Sequence, residues 1–155
     1  MQADLCRLRP MTIAPVQARR LKLQLIADPE AIREGLRQLM AASPMCHLSD
    51  DVRGSAEIVL AEVLNNIVEH AYAGHAGHIG LTLDYEHPHL SFEIEDCGCA
   101  MPLEKLPGCE LAVVGADGNL PEGGFGWFLI RTLTRGLVYH RRSNRNTLAF
   151  WMDAG

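Results

Sequence analysis

The chain has 155 residues, of which 48% are hydrophobic and 21% charged, and its formal net charge is -5 at pH 7. This length and balance are those of a single globular domain that buries a core without disulfide or metal staples, which excludes a chain disordered throughout. The negative charge argues against a general affinity for nucleic acid, and the basic cluster over residues 135–145 is the one exception.

The N-terminal region carries no recognisable targeting signal. Four arginines, at positions 7, 9, 19 and 20, interrupt any apolar run there, so we expect no signal peptide. No stretch approaches the roughly 20 apolar residues that a membrane-spanning helix needs. The five cysteines are an odd number without the spacing of a disulfide framework. These features predict a cytoplasmic protein without direct nucleic-acid or membrane partners.

The first predicted elements are a loose extension, a strand and a short helix. Residues 1–19 lack a sustained period, so we place a single domain at residues 20–155. Leucines that alternate with polar residues from Leu21 onward predict a half-buried strand. The strand ends at Asp28-Pro29, because aspartate suits the N-cap of a helix and proline its first turn. We expect this helix to end near Ser43-Pro44.

A longer second helix carries two different faces. Ser49 suits its N-cap, and the apolar period continues to about Tyr72. Glu62, Asn66 and His70 follow one another at steps of four residues, on the side opposite the apolar stripe. The predicted core stripe consists of Val52, Ala56, Val59, Leu60, Val63, Leu64, Ile67, Val68 and Ala71. One face is therefore expected to pack, and the other to carry chemistry.

Two runs of alternating apolar residues then predict an antiparallel hairpin. The runs begin at Ile79 and Leu90, with turn residues 86–89 between them. The two-residue period places Asp96 on the apolar face of the second strand, where a carboxylate needs hydrogen bonds or becomes neutral. The following Gly98 leaves room for a ligand, and an adenine amino group would satisfy the carboxylate. The simpler interpretation is a strand-end aspartate that caps a turn.

The last third of the chain predicts a lid, a helix and two closing strands. Residues 97–123 contain several glycines and prolines without a clean period, which is typical of a functional loop. We expect a helix over residues 126–134 and strands over residues 137–142 and 147–152, around a turn at 143–146. This order favours an α+β fold, a two-layer α/β sandwich with a mixed, mostly antiparallel sheet and helices on one face.

The glycines before the third helix predict an anion site. Gly124, Phe125 and Gly126 stand where free backbone N–H groups and the positive end of the helix dipole favour a phosphate. A glycine-rich turn alone is a weak signal, and this one lacks the Lys-Ser/Thr tail of a P-loop. On the second helix, Glu62 could accept a proton and Asn66 could ligate Mg²⁺, but both residue types are also typical of a solvated helix face.

Three segments together resemble a known superfamily. The segments LAEVLNNIVEHAY (60–72), FEIEDCGCAMP (92–102) and GGFGWFLIRTL (123–133) are similar to the N, G1 and G2 boxes of the gyrase, histidine-kinase and mismatch-repair ATPases. Within this histidine kinase-like ATPase superfamily, the single-domain bacterial anti-sigma-factor serine kinases match best, over residues 20–152. The three boxes in this order are fairly specific, whereas one box alone would be weak.

The resemblance implies catalytic and metal-binding roles on the second helix. Glu62 would be the general base toward a serine hydroxyl of a partner, Asn66 the Mg²⁺ ligand, and His70 the histidine that commonly follows. Two features depart from the family pattern: Ala100 stands where a second glycine is usual, and bulky side chains occupy positions 127–128. These departures concern the closure of the lid more than the binding of a nucleotide.

The other matching residues would bind the nucleotide itself. Asp96, with Gly98 beside it, would accept the adenine amino group. The phosphates would contact the segment Gly124-Phe125-Gly126, and Thr147 of the closing strand would lie near the base. ATP and Mg²⁺ are thus the cofactors that the resemblance implies.

The expected function is a protein serine kinase that uses Mg-ATP, phosphorylates a small antagonist protein and binds a sigma factor. The same resemblance implies a homodimer. Two alternatives stay open. The chain could bind ATP without transferring phosphate, with Glu62 only ordering water. It could also be a metal-binding module, because Cys97, Cys99 and Cys109 lie close in sequence and three histidines follow the long helix, although their spacing is poor for zinc.

Overall fold

Five strands and three α-helices make up the part of the chain that the structure, a computed structural model, describes: residues 19–107 and 125–155. The strands are β1 (Arg20–Ile26), β2 (His78–Glu86), β3 (His89–Asp96), β4 (Arg135–Arg142) and β5 (Arg145–Asp153). The helices are α1 (Pro29–Ala41), α2 (Asp50–Asn66) and α3 (Phe125–Leu133), with short 3-10 turns at Met45–His47 and Pro102–Glu104. The predicted N-terminal extension lies outside the described residues, except for Arg19. Among the helices of this part of the chain, none is long and apolar enough to cross a membrane.

The strands form one sheet in the order β1-β2-β3-β5-β4. The predicted α+β class is confirmed, and every strand pairing in the described chain is antiparallel. The hairpin β4–β5 turns through Ser143 and Asn144 alone, which both have positive φ, 49° and 62°. Such a two-residue turn matches the right-handed twist of its strands. Because it is short, β5 begins two residues earlier than the sequence analysis predicted.

Both long helices begin at the polar caps that the sequence predicts. The Asp28 carboxylate accepts hydrogen bonds from the backbone N–H groups of Glu30 and Ala31, at 3.0 and 3.1 Å. The Ser49 hydroxyl accepts one from the N–H of Val52 at 3.4 Å. These bonds satisfy N–H groups that have no partner within their own helix. The caps therefore fix where α1 and α2 start on the sheet.

The core fills the space between the helices and one face of the sheet. The α2 stripe is buried at Ala56, Val59, Leu60, Val63, Leu64 and, just beyond the helix, Ile67. The facing sheet residues are Ile79, Leu81, Leu83, Leu90, Phe92, Ile94, Leu148, Phe150 and Met152. Each large apolar side chain buried in this way contributes about 1.5–3 kcal/mol. Exposed ion pairs such as Arg37–Glu34 contribute little, because water screens their charges. The core therefore dominates the stability.

The end of α2 departs from the regular helix that the sequence predicts. Over Ile67–Tyr72 the helix widens to π geometry, and the N–H of Ala73 donates to the carbonyl five residues earlier at 3.1 Å. The Tyr72 hydroxyl donates to the carbonyl of His78 at 2.7 Å and accepts from the N–H of Cys97 at 3.1 Å. This buried tyrosine joins the helix end to the start of β2 and the end of β3, and π segments are frequent at functional sites.

Two helix glycines offer a matched test of the packing of α1 on β1. A Cβ at Gly54 in α2 would meet no atom within 4 Å, whereas one at Gly35 in α1 would overlap the side chain of Leu25. Gly54→Ala should therefore raise the free energy of unfolding by about 1 kcal/mol, which is the helix preference for alanine. Gly35→Ala should gain less or lose stability, because Leu25 has to move. Urea denaturation measures both changes, and an equal gain would contradict the close packing.

Candidate functional site

A cavity of about 380 Å³ lies between the end of α2, the end of β3 and the start of α3. Its apolar walls are formed by Val63, Ile67, Ala71, Ala100, Met101, Pro102, Pro107, Trp127 and Leu148. Its polar residues are Asn66, His70, Asp96, Cys99, Tyr139 and Asn146. A mostly apolar cavity of this size with a few polar groups is typical of a small-molecule site.

Asp96 is the most buried charged group of this cavity. It is the last residue of β3 and only 6% exposed, on the apolar face that the strand period predicts. Its Oδ1 accepts hydrogen bonds from the N–H of Gly98 at 2.8 Å and from Nδ2 of Asn146 at 2.7 Å. The hydrogen bonds of the described residues leave its Oδ2 without a donor. One oxygen is thus held by the protein, and the other remains available to a ligand.

Burial raises the pKa of Asp96 above its ordinary value, because a charged carboxylate is poorly solvated there. Hydrogen bonds from Asn146 and from the N–H of Gly98, and the positive charge of Arg141, act in the opposite direction and lower the pKa. The loss of water is the largest of these effects. A ligand that donates to Oδ2 would replace part of the missing solvation, and perturbed carboxyl groups in clefts are common at functional sites.

Asn146 is the site residue that the sequence analysis missed. The predicted turn at residues 143–146 is only two residues long, so Asn146 belongs to β5 and not to the turn. It lies directly opposite Asp96 in the β3–β5 pairing and is 4% exposed. Asparagine tolerates the left-handed conformation that two-residue hairpin turns require, so Asn144 in the sequence is a signal that could have found Asn146.

Thr147, predicted to lie near the base, does not line the cavity. Successive residues of a strand point to opposite faces of the sheet, and its neighbours Asn146 and Leu148 are the ones that line the cavity. Thr147 therefore lies on the opposite face, between Glu95 of β3 and His140 of β4. The prediction for Thr147 came from the family resemblance and not from the strand period, because the alternation of the buried Leu148, Phe150 and Met152 already places Thr147 on the other face. Its position near a bound base stays a prediction.

The predicted chemical face of α2 lies at the cavity only in part. Asn66 and His70 line it, and His70 is exposed. The amide nitrogen of Asn66 is buried without a hydrogen-bond partner, which normally costs about 1–3 kcal/mol. Glu62 is half-buried and not part of the lining, but a methyl group at Gly126 would overlap its carboxylate. Glu62 and the start of α3 are thus in close contact.

The glycine-rich segment is described only from Phe125 onward, so Gly124 lies outside the described residues. Phe125 is the first residue of α3 and 47% exposed. Gly98 is packed against the π-helical segment. A Cβ there would lie 2.6 Å from the backbone oxygen of Ala71, so the absence of a side chain allows this close packing, and the contact of Gly98 with a nucleotide stays a prediction.

The first part of the predicted lid is fixed along the cavity. The N–H of Cys99 donates to the carbonyl of Ala71 at 2.7 Å, and the N–H of Met101 donates to the Tyr139 hydroxyl at 3.1 Å. Farther along, the Arg131 guanidinium of α3 donates twice to the carbonyl of Pro107, at 2.7 and 3.1 Å. Residues 98–107 thus form a wall of the cavity, and the rest of the predicted lid up to residue 123 lies outside the described chain.

The predicted alternative of a metal-binding module concerned the cysteines and histidines. Cys97 and Cys99 are exposed thiols, and Cys109 lies outside the described residues. Over residues 19–107 and 125–155, no three His, Cys, Asp or Glu side chains are grouped so that they could hold a metal ion.

Comparisons with known proteins add a family to this geometry. The family model for the histidine kinase-like ATPase domain matches residues 25–152, which include every described residue of the cavity. A search of curated proteins found no match. Among solved structures, the histidine kinase AdeS of Acinetobacter baumannii is similar to this chain, with 13% sequence identity and a TM-score of 0.47. That alignment covers 86% of this chain and 68% of the AdeS chain.

Gly98→Ala tests how tightly the loop after β3 is packed on the π-helical segment. The added methyl group has to displace the backbone of Ala71, so the free energy of unfolding should fall by about 1–3 kcal/mol. Thermal or urea unfolding measures the loss, with Gly54→Ala as a control for the same chemical change in open space. A variant as stable as the wild type would contradict the contact between Gly98 and Ala71.

Proposed function

This chain belongs to the family of histidine kinase-like ATPase domains, and on that premise we propose that its cavity binds ATP together with Mg²⁺. Asp96 is the observation that supports this most strongly. The free Oδ2 of its buried carboxylate needs a donor, and the amino group of adenine supplies one. A 6-oxo purine would instead present an oxygen, and Asn146 has no spare N–H for it, because it already donates to Asp96 and Cys99.

The phosphates, in this proposal, lie between Asn66 and the start of α3. The first N–H groups of a helix and its positive dipole end favour anions. Asn66 is the proposed Mg²⁺ ligand through its amide oxygen, since this ion accepts such oxygens in proteins. Its buried Nδ2, which has no partner among the described residues, could donate to a phosphate oxygen. Mg²⁺ would neutralise phosphate charge when bound.

Glu62 is the proposed general base for phosphate transfer. A serine oxygen of a partner protein attacks the γ-phosphorus, and the bond from that phosphorus to the β–γ bridging oxygen breaks. The hydroxyl proton passes to the Glu62 carboxylate, and ADP leaves. The close contact of Glu62 with Gly126 supports this role, because it places a carboxylate beside the proposed phosphate site.

The partners follow from the resemblance of the three sequence boxes to the anti-sigma-factor kinases. We propose a small antagonist protein as the phosphate acceptor, a sigma factor as a binding partner, and a homodimer as the functional state. A second candidate function is a regulatory protein that binds ATP without transferring phosphate. It is favoured by one observation, namely that Glu62 is not among the residues that line the cavity itself.

Asp96→Asn tests the nucleobase end of the site. The variant keeps Oδ1 as an acceptor for Gly98 and Asn146 but places an NH₂ group where Oδ2 met the adenine amino group. The affinity for ATP should fall about 10- to 100-fold, which corresponds to the roughly 1.5–3 kcal/mol of a hydrogen bond to a charged group. Calorimetric titration measures the affinity, with the exposed Asp153→Asn as a control. Unchanged affinity in Asp96→Asn would overturn the proposed site.

Asn66→Ala and Glu62→Ala should separate binding from transfer. Asn66→Ala should abolish the part of ATP binding that depends on Mg²⁺, as measured by titration with and without the ion. Glu62→Ala should still bind ATP but transfer phosphate to the partner serine about 100-fold more slowly or worse. The controls are Asn65→Ala and Glu57→Ala, exposed positions of the same helix. Transfer at the wild-type rate by Glu62→Ala would contradict the base, and ATP binding by a wild type without transfer would favour the regulatory alternative.

A further inference from the structure

We propose that Asn146, Tyr139 and Arg141 are positioning residues, which together fix one oxygen of Asp96 and the backbone of residues 98–101 in a single arrangement. All three side chains come from the hairpin β4–β5, which the sequence boxes do not include. The inference rests on the proposed function, because it explains how the nucleobase end of that site is shaped.

The amide of Asn146 uses its full hydrogen-bonding capacity. Its Oδ1 accepts from the Tyr139 hydroxyl at 2.7 Å and from Nη1 of Arg141 at 2.6 Å. Its Nδ2 donates to Oδ1 of Asp96 at 2.7 Å and to the carbonyl of Cys99 at 3.0 Å. If the amide were rotated by half a turn, its N–H groups would face two donors and its oxygen would face two acceptors. Only one orientation of the amide is therefore compatible with its neighbours.

This orientation decides which oxygen of Asp96 meets the ligand. Asn146 and the N–H of Gly98 both bind Oδ1, so the carboxylate cannot turn without breaking two hydrogen bonds. Hydrogen bonds to a charged group in a partly buried network are stronger than neutral surface ones. The carboxylate is therefore held with Oδ2 available before any ligand arrives, and preorganisation of this kind raises affinity.

The same side chains also hold the loop that follows β3. Nη1 of Arg141 donates to the carbonyl of Gly98 at 3.0 Å, and the Tyr139 hydroxyl accepts from the N–H of Met101 at 3.1 Å. Met101 lines the cavity, as does Cys99, whose carbonyl bonds to Asn146. The acceptor and the wall of the nucleobase end are thus set by one connected group of side chains.

A positioning role makes a pH-dependent prediction that a purely structural role does not. Adenine needs the charged form of Asp96, so ATP affinity should be lost as the pH falls through the pKa of that carboxyl. Asn146 lowers this pKa, and its removal should therefore move the loss of affinity to higher pH. Arg141 supplies the nearby positive charge, and Tyr139, Cys99 and His70 are the other titratable groups of the cavity.

The experiment measures ATP affinity by calorimetry across a pH series for the wild-type protein and for the variants Tyr139→Phe and Asn146→Leu. Tyr139→Phe should lower affinity about tenfold, because Asn146 loses a donor and the N–H of Met101 loses its acceptor. Asn146→Leu should lower it further and shift the pH profile upward. Tyr85→Phe is the matched control, since the one hydrogen bond of its hydroxyl within the described residues is to His87 on an exposed turn.

Each outcome decides between the two proposals. Unchanged affinity in both variants, or a loss of affinity that is equal at every pH, would overturn the positioning role. ATP binding by the wild-type protein would in that case leave the proposed function standing. Absence of ATP binding in the wild-type chain would overturn both. If circular dichroism shows that Asn146→Leu does not fold, Tyr139→Phe decides the question, because it removes one oxygen atom and should shift affinity and pH profile in the same directions.

Discussion

A single half-satisfied carboxylate is the constraint around which the rest of the cavity is arranged. The pleat of β3 places Asp96 on the apolar face of the sheet, where the loss of water disfavours the charged form of the carboxyl group and raises its pKa. Its neighbours in the described part of the chain donate hydrogen bonds to Oδ1, and Oδ2 has no donor there. Natural proteins rarely leave such an oxygen without a donor in a pure core. Asp96 lines the cavity, so a bound ligand with a suitable donor could offset the free energy that burial of the carboxylate costs.

The scaffold brings together groups that are far apart in the sequence. Helix α2 supplies one wall through its apolar stripe and Asn66, and its π-helical end holds the loop after β3 through Ala71. The start of α3 meets the same helix at Glu62. The family match covers all of these segments, and the antiparallel pairing of β3 with β5 brings the end of one strand beside the start of the other. The architecture thus separates the proposed nucleobase end, rich in hydrogen bonds, from an end where a helix dipole favours negative charge.

The features that the sequence predicts correctly depend on local periodicity and on capping. The Asp28 and Ser49 caps, the buried stripe of α2 and the inward direction of Asp96 all follow from the spacing of apolar residues. The features it misses depend on contacts made in three dimensions. A turn shorter by two residues moved Asn146 into a strand, on the face of the sheet that lines the cavity. The contact of Gly98 with a π-helical backbone likewise has no signal in a chain whose apolar period suggests an unbroken α-helix.

The saturated amide of Asn146 also limits how this site can be re-engineered. Aspartate would bring no donors to Asp96, leucine would bring neither donors nor acceptors, and glutamine would place the same group one methylene too far. Because every bond of the amide has a partner on another element, no isolated exchange at this position preserves the set. A change of nucleobase preference would have to replace Asn146, Tyr139 and Arg141 as a unit. We therefore expect Asn146, Tyr139 and Arg141 to change together in evolution, whereas exposed residues on the outer face of the sheet can change one at a time.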